Sequence, residues 1–314
     1  MVRLNTTSQI ASEKTVLHCP ACKKKLEPSG NEYSCRSCRL SFPVVDGIPL
    51  LVISQAACDG FDASEFACLF QMEQKHFWHV GRREIILDVL KRNIPDLAGS
   101  RMLEVGCGNG NVLAFLKNSG IDVEGGDIFT EGLAFCRQRL NSVPLYQLDV
   151  LALPFRDEFD IAGLFDVLEH IEDDTKALTE IRLALKPGGR LLVTVPAYRF
   201  LWSYFDVRSN HKRRYGKAEL VNRLELAGFT VRKASYFMFF LFPVLAAVRL
   251  MGKAVRRKDN QERAGASLEM KTIPVLNDIF LGLLRFEKVL LRRFNFPFGA
   301  SLIVLAERVS RNEN

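Results

Sequence analysis

Several absences narrow this sequence before any motif is read. Residues Met1 to Val16 are polar and hold no apolar core, so no signal peptide is expected, and the reading places the chain in the cytoplasm, where thiols stay reduced. The uncharged run Tyr236–Val248 is shorter than the roughly 20 apolar residues that span a bilayer, and Pro243 interrupts it. At the main glycine-rich turn the dinucleotide spacing G-x-G-x-x-G is missing. Gly106, Gly108 and Gly110 run G-x-G-x-G instead, and Asn stands at 111. Cys58 and Cys68 lack C-x-x-C partners and read as bystanders.

What is present suits a two-domain chain. The length of 314 residues allows two domains. Hydrophobic residues make up 48%, enough for an ordinary core, and 25% are charged, as in a soluble protein. The net charge of +7 is uneven: between 237 and 314 thirteen Lys or Arg stand against seven Asp or Glu. That excess reads either as a solvated tail or as a surface facing something anionic, lipid headgroups or nucleic acid.

The chain is organised around Arg101–Gly110. Leu103 and Val105 read as a short buried strand; three glycines follow, and then an amphipathic helix with Val112, Leu113, Phe115 and Leu116 apolar. Glycines at such a turn let backbone N–H groups approach a ligand closely. Glu104, just ahead of the first glycine, would repel a pyrophosphate but suits a ligand carrying an ammonium and a sulfonium. A second strand, Asp122–Asp127, ends in an acid 21 residues after Gly106, where a carboxylate can accept both ribose hydroxyls. Leu145–Val150 is a third strand, holding Asp149. Phe159–Phe165 is a fourth, running into Asp166, Val167, Leu168, Glu169 and His170. Leu185–Arg190 reads as the turn before a fifth, Leu191–Val195.

With these features in this order, Glu104–Gly110 resembles motif I of the class I S-adenosylmethionine (SAM) methyltransferases, and residues 76–235 resemble their type 11 group. The resemblance implies a doubly wound, seven-stranded Rossmann-like α/β domain with SAM as cofactor. It implies a donor site built from Glu104, Gly106, Cys107, Gly108 and Gly110, with Asp127 and Ile128, Asp149 and Val150, and Phe165. Asp149 would stand where family members contact the adenine amine. A helix over His76–Asn93, with Ile85, Ile86, Val89 and Leu90 at helical spacing, would pack beside the site. Trp78 and His79 at its start read as packing residues. Enzymes that methylate exocyclic base amines usually carry Asn/Asp-Pro-Pro-aromatic after the fourth strand. Phe165-Asp166-Val167-Leu168 stands here instead, which argues against that chemistry.

Upstream, Cys19, Cys22, Cys35 and Cys38 form two C-x-x-C knuckles separated by twelve residues. Tetrahedral zinc takes two thiolates from each knuckle, and four cysteines leave no open position, so the metal is expected to be structural. Pro28–Asn31 reads as the turn of a hairpin between the knuckles. Residues 17–53 resemble the small zinc-ribbon proteins that activate tRNA and protein methyltransferases. A ribbon ahead of a methyltransferase also resembles the rRNA guanine-N1 enzymes, whose fourth zinc ligand is typically His. The expected division is a zinc ribbon over 15–54, a linker over 55–75, and a methyltransferase domain over 76–314.

Two later stretches bear on the acceptor. After the fifth strand come Tyr198, Trp202, His211, Arg213, Arg214 and Tyr215, on a loop that leaves the ligand side of the sheet. His211, Arg213 and Arg214 together can hold a phosphate or carboxylate. The H-x-R-R-Y arrangement resembles that of bacterial methyltransferases from cell-surface glycan and lipid pathways. Phe229–Ser235 and Ala300–Arg308 read as strands six and seven, an antiparallel pair in the family. Between them 64 residues intervene, 236–299, a helical insertion on the substrate side with a mobile loop around Asp259–Ser267. Apolar helices flanked by Arg249, Lys253, Arg256, Arg257, Lys258, Arg285, Lys288, Arg292 and Arg293 can lie in a membrane interface, form a lid, or make a dimer face.

These readings converge on methyl transfer from SAM to an oxygen, or else a nitrogen or carbon, of a small or lipid-linked metabolite. Peripheral contact with the inner face of the membrane would run through 236–293. His170 and His211 are the candidate bases, since imidazole suits proton removal near neutral pH, and Asp166 would orient acceptor or donor. Methylation of RNA through the ribbon is the alternative and nucleic acid the disfavoured partner. An inactive SAM-binding scaffold is a further reading. Oligomeric state is left open.

Overall fold

The computed structural model describes residues 15–53, 63–256 and 273–309. Cys58 and the loop expected around Asp259–Ser267 lie outside them. The first segment is a four-stranded antiparallel sheet of β1 (Glu27–Ser29), β2 (Glu32–Ser34), β3 (Ser41–Val45) and β4 (Ile48–Pro49), in that order. Its first hairpin turns at Gly30, φ +61°, within the Pro28–Asn31 turn read from the sequence. Phe42 and Val44 alternate with exposed neighbours along β3, so this small sheet buries one face.

The large sheet has seven strands. Its parallel members are β5 (Arg101–Val105), β6 (Asp122–Asp127), β7 (Leu145–Gln147), β8 (Phe159–Phe165) and β9 (Leu185–Pro196). The other two, β10 (Phe229–Phe237) and β11 (Ser301–Arg308), pair antiparallel, and β11 also runs antiparallel to β9. The order β10-β11-β9-β8-β5-β6-β7 puts β5 between β8 and β6, so the chain reverses its direction of growth beside the glycine turn. A crevice opens at such a switch point. Strands covered on both faces read as unbroken apolar runs, and β8 does so from Ile161 to Phe165. β9 starts at Leu185 and takes in the Lys186–Arg190 stretch expected as a turn, because Leu185 already pairs with Phe159 before the register shifts.

Helices α1 (Ala63–Met72), α2 (Phe77–Asn93), α3 (Asn111–Asn118), α4 (Thr130–Arg139), α5 (Asp174–Ala184), α6 (Tyr204–Arg208) and α7 (Lys217–Leu226) join these strands. Helix α1 lies in the stretch read as a linker. Phe66 packs where Gly132 of α4 leaves room, and Arg139 of α4 pairs with Glu73 at 2.8 Å while lying over the Phe70 ring. Residues 63–73 therefore belong with the large domain.

The ribbon is fused to the free edge of the large sheet. Leu50 forms a parallel bridge with Gln147 of β7, and the Leu51 N–H donates to the Gln147 carbonyl at 2.9 Å. The His18 N–H donates to the Pro154 carbonyl at 2.8 Å, and Lys23 pairs with Glu180 at 2.9 Å. Both sheets share one hydrophobic core. An unpaired edge strand is a liability, and here the ribbon covers it.

The insertion between β10 and β11 contains α8 (Phe242–Arg256) and α9 (Pro274–Leu290). Helix α9 lies along α2. Leu284 sits against Gly81, Arg285 and Lys288 converge on Glu84 at 2.8 and 2.7 Å, and Arg292, just past α9, reaches Asp88 at 2.7 Å. These three cations, read from sequence as flanking a membrane-facing, lid or dimer-forming helix, pair with α2 and hold α9 to it. No helix among the described residues is long and apolar enough to cross a membrane.

Candidate active site

The carboxyl ends of the parallel strands meet at one edge, and each delivers a residue that the sequence singled out. After β5, Gly106, Gly108 and Gly110 all have positive φ, at +76°, +49° and +71°. A Cβ on Gly106 would come within 2.4 Å of Val167 Cγ2, and one on Gly110 within 2.4 Å of Cys136 Sγ, so neither position accepts a side chain. Asp127, at the end of β6, fixes this turn: its Oδ2 accepts the Gly108 N–H at 2.7 Å and its Oδ1 the Phe129 N–H at 2.9 Å. Burial pushes the Asp127 pKa up, and these backbone donors oppose the shift. Asp149 turns its carboxylate onto the Leu151 N–H at 2.8 Å, opening a short 3₁₀ turn in which Val150 is buried. The Ile128 carbonyl accepts from Gln147 Nε2 at 3.1 Å. The Cys107 thiol is buried, so this residue offers the cleft its backbone. The Phe165 ring folds back over Gly163, which has no Cβ to obstruct it.

Glu104 is 3% exposed, and its Oε2 has no hydrogen-bond partner. Burial drives its pKa well up. Beside the glycine turn, Asn109 Oδ1 and Asn111 Nδ2 are also buried without partners. Orphaned polar atoms at a glycine-lined edge are what a bound polar ligand completes, and a cationic ammonium would both pair Glu104 and hold it ionised. The residues present therefore fit SAM.

At the other end of the cleft, Asp166 adopts φ +58° at the mouth of β8. There it is ion-paired with Arg82 of α2 and accepts from Thr194 Oγ1 at 3.2 Å. Tyr198 after β9 and Met238 after β10 share this left-handed geometry, at φ +57° and +58°. Non-glycine residues seldom hold that conformation, and it gathers at ligand sites. The rings of His170 and His211 meet edge to face, 4.7 Å apart. Burial and the neighbouring His211 lower the His170 pKa to about 4, so the imidazole is neutral at physiological pH. Asp206 Oδ1 lies 2.9 Å from His211 Nδ1.

The basic loop behaves differently from expectation. Arg214 is buried and clamps Asp206 through two bonds of 2.6 and 3.0 Å. Tyr215 is fully buried, its hydroxyl donating to Asp174 Oδ2 at 2.8 Å and held also by the Leu168 carbonyl at 3.2 Å. Each has a carboxylate partner inside the fold, which gives both a structural role. Arg213 bonds Asp174 and the Glu172 carbonyl but also borders a cavity of about 420 Å³, shared with Trp202, Arg199, Lys212, Arg214 and Arg223. Tyr198 stacks on Tyr236 at 5.1 Å, joining the loop to the insertion. Arg82 was not singled out in the sequence, and Glu169 and Asp206 stood in the stretches of interest without a role. Only the adjacency of Glu169 to His170 could have flagged one of them.

In the ribbon, the sulfurs of Cys19, Cys22, Cys35 and Cys38 lie within 4.8 Å of one another. Those of Cys22 and Cys35 are 3.5 Å apart, far beyond a disulfide bond. The four thiols fit a closed tetrahedral zinc.

This strand order, with a glycine edge and an acid after each of the next strands, defines the Rossmann-like methyltransferase class. The chain belongs to the methyltransferase-domain family, whose profile matches residues 77–234, and the Trm112p-like protein family matches residues 15–47. It is 30% identical over 163 residues to a Mycolicibacterium smegmatis protein named "Probable S-adenosylmethionine-dependent methyltransferase", covering 51% of this chain and 62% of that one. It is also 30% identical over 146 residues to the ubiquinone biosynthesis O-methyltransferase of Paraburkholderia phymatum, covering 42% and 63%. The chain thus spans less than two thirds of these relatives. Among solved structures it resembles Haemonchus contortus phosphoethanolamine N-methyltransferase 2 in complex with SAM, with TM-score 0.52 and 18% identity over 86% of this chain and 63% of that one. It also resembles the complex containing the Haloferax volcanii Trm112 methyltransferase activator, with TM-score 0.51 and 20% identity over 80% and 96%.

Proposed function

We propose that the chain transfers a methyl group from SAM to an oxygen of a small or lipid-linked metabolite. The observation that carries the reading is the buried, unpaired Glu104 carboxylate beside three left-handed glycines. SAM supplies an activated methyl group on a good leaving group, so the protein's main task is alignment. Glu104 and the glycine turn would hold its amino-acid end, and Asp127 and Asp149 its nucleoside. Asp166, fixed by Arg82 and Thr194, would orient the acceptor. His170, whose imidazole burial keeps neutral, or His211 would take the proton that an acceptor hydroxyl must lose.

Two features support an amphipathic acceptor. The cavity bordered by Trp202 and Arg213 offers cations to a phosphate or carboxylate. The outer stripe of α9, Val275, Ile279, Phe286 and Val289, is exposed at helical spacing, as are Val244, Val248 and Met251 of α8. Single exposed apolar residues are ordinary, but a continuous stripe favours contact with lipid. The ribbon's likeness to Trm112p-like proteins favours RNA or protein as the second reading. Incubation with labelled SAM and fractionated extract separates the two. Label in the lipid or small-molecule fraction is the expected result, and label in RNA or protein would overturn it.

A further inference from the structure

Three side chains at the acceptor end have donor atoms within 4.8 Å of one another: Glu169, His170 and His211. Each is prepared in a way that general-base chemistry does not require. Glu169 is fully buried, and neither carboxylate oxygen has a hydrogen-bond partner. An ionised carboxylate without compensation costs several kcal/mol to bury, so it either stays protonated, as burial favours for Glu169, or takes a cation. His211 is oriented through Nδ1 by Asp206, itself fully buried and clamped by Arg214, which leaves Nε2 uncommitted. His170 meets the His211 ring edge to face, 4.7 Å between centroids, with a ring nitrogen inside the same 4.8 Å cluster. An imidazole held on one nitrogen by a carboxylate or carbonyl, with the other nitrogen bare, is the outer-shell arrangement of metal-binding histidines. Two imidazoles and one carboxylate, with positions left open, suit a divalent first-row transition metal.

We propose that Glu169, His170 and His211 bind a divalent transition-metal ion at the acceptor end of the cleft, separate from the Cys19–Cys38 zinc. The set leaves coordination positions for an oxygen of the acceptor, which the ion would hold and acidify. That role rests on the oxygen-methylation reading, whereas the binding itself does not.

The test uses the full chain with its ribbon zinc in place. Mn²⁺ avoids thiolate sites, so loss of the free Mn²⁺ signal in electron paramagnetic resonance reports the Glu169 site alone. One Mn²⁺ per chain is expected. Binding should be at least ~10-fold weaker in Glu169→Gln and in His211→Ala, with ribbon zinc by elemental analysis and SAM affinity both retained. No uptake, or equal uptake by the variants, overturns the proposal. Because a variant could fail to fold, crystals of the unaltered protein grown with Co²⁺ supply a second readout. An anomalous peak within bonding distance of both imidazoles is expected, and its absence contradicts the site. No Mn²⁺ uptake by a chain that still binds SAM would sink the ion but leave the methyltransferase reading standing.

Discussion

Leu284 of α9 fills the space that a side chain on Gly81 of α2 would need: a Cβ there would come within 2.5 Å of Leu284 Cδ1. Helix α2 also carries Arg82, ion-paired with Asp166, and Arg83, bonded to Asn111 Oδ1 at 2.7 Å. The insertion therefore bears on the cleft through α2, as it does through Tyr236 stacked on Tyr198. Gly81→Ala is expected to cost about 1–3 kcal/mol by overpacking, lowering the melting temperature and raising hydrogen exchange in α9 first. Adding Leu284→Ala should recover part of that loss. An unchanged melting temperature in Gly81→Ala would refute this packing.

A second consequence concerns pH. Glu287 of α9 is buried, accepts the Phe239 N–H at 2.8 Å, and has its pKa raised from 4.5 to about 7 by burial. Below pH 4.5 it is protonated in both the folded and unfolded chain. Between 4.5 and 7 the folded state holds a proton that the unfolded chain has lost, so stability falls as pH rises. Above 7 the full cost applies, roughly 3 kcal/mol. Exchange in α9 should therefore quicken between pH 5 and 8, after correction for the intrinsic rate. Glu287→Gln should flatten that dependence, and the same slope in both proteins would exclude Glu287 as its source.

Zinc removal should act at a distance from the metal. The ribbon covers the β7 edge through Leu50 and Leu51, and a domain of about forty residues depends on such a staple. Chelation is expected to lower the melting temperature and deprotect Leu145–Val150, while β5 and β8 at the sheet centre stay protected. Uniform deprotection across all strands would contradict this order.

Tyr215→Phe separates structure from substrate contact. It removes a buried hydroxyl from Asp174, which keeps Arg213 and Arg223. The expected cost is about 1–2 kcal/mol of stability, with SAM affinity and acceptor KM unchanged. A raised KM at unaltered stability would restore Tyr215 to the substrate site.

What the residues disclosed and what they hid have separable causes. Gly106–Gly110, Asp127 and the strand pattern were legible because each is a local requirement: a positive φ, a fixed offset, an apolar run. The roles of Arg214, Tyr215, Arg285 and Lys288 were not, since a cation or a phenol reads the same whether it faces solvent or a buried carboxylate. Their partners Asp206, Asp174 and Glu84 stand 8, 41 and about 200 residues away, and only the fold brings them together. Helix α1 was missed because its anchors, Gly132 and Arg139 of α4, lie more than 60 residues along the chain. Glu169 shows nothing in sequence of its lack of a partner, which is a property of its burial.

The central claim is that the glycine edge, with Glu104 beneath it and Asp127 tying it down, holds SAM. Isothermal titration of SAM into the unaltered chain and into Asp127→Ala tests it most directly. Micromolar-scale binding by the first and none by the second is expected. No heat from the unaltered chain, or equal affinity in both, would contradict the account.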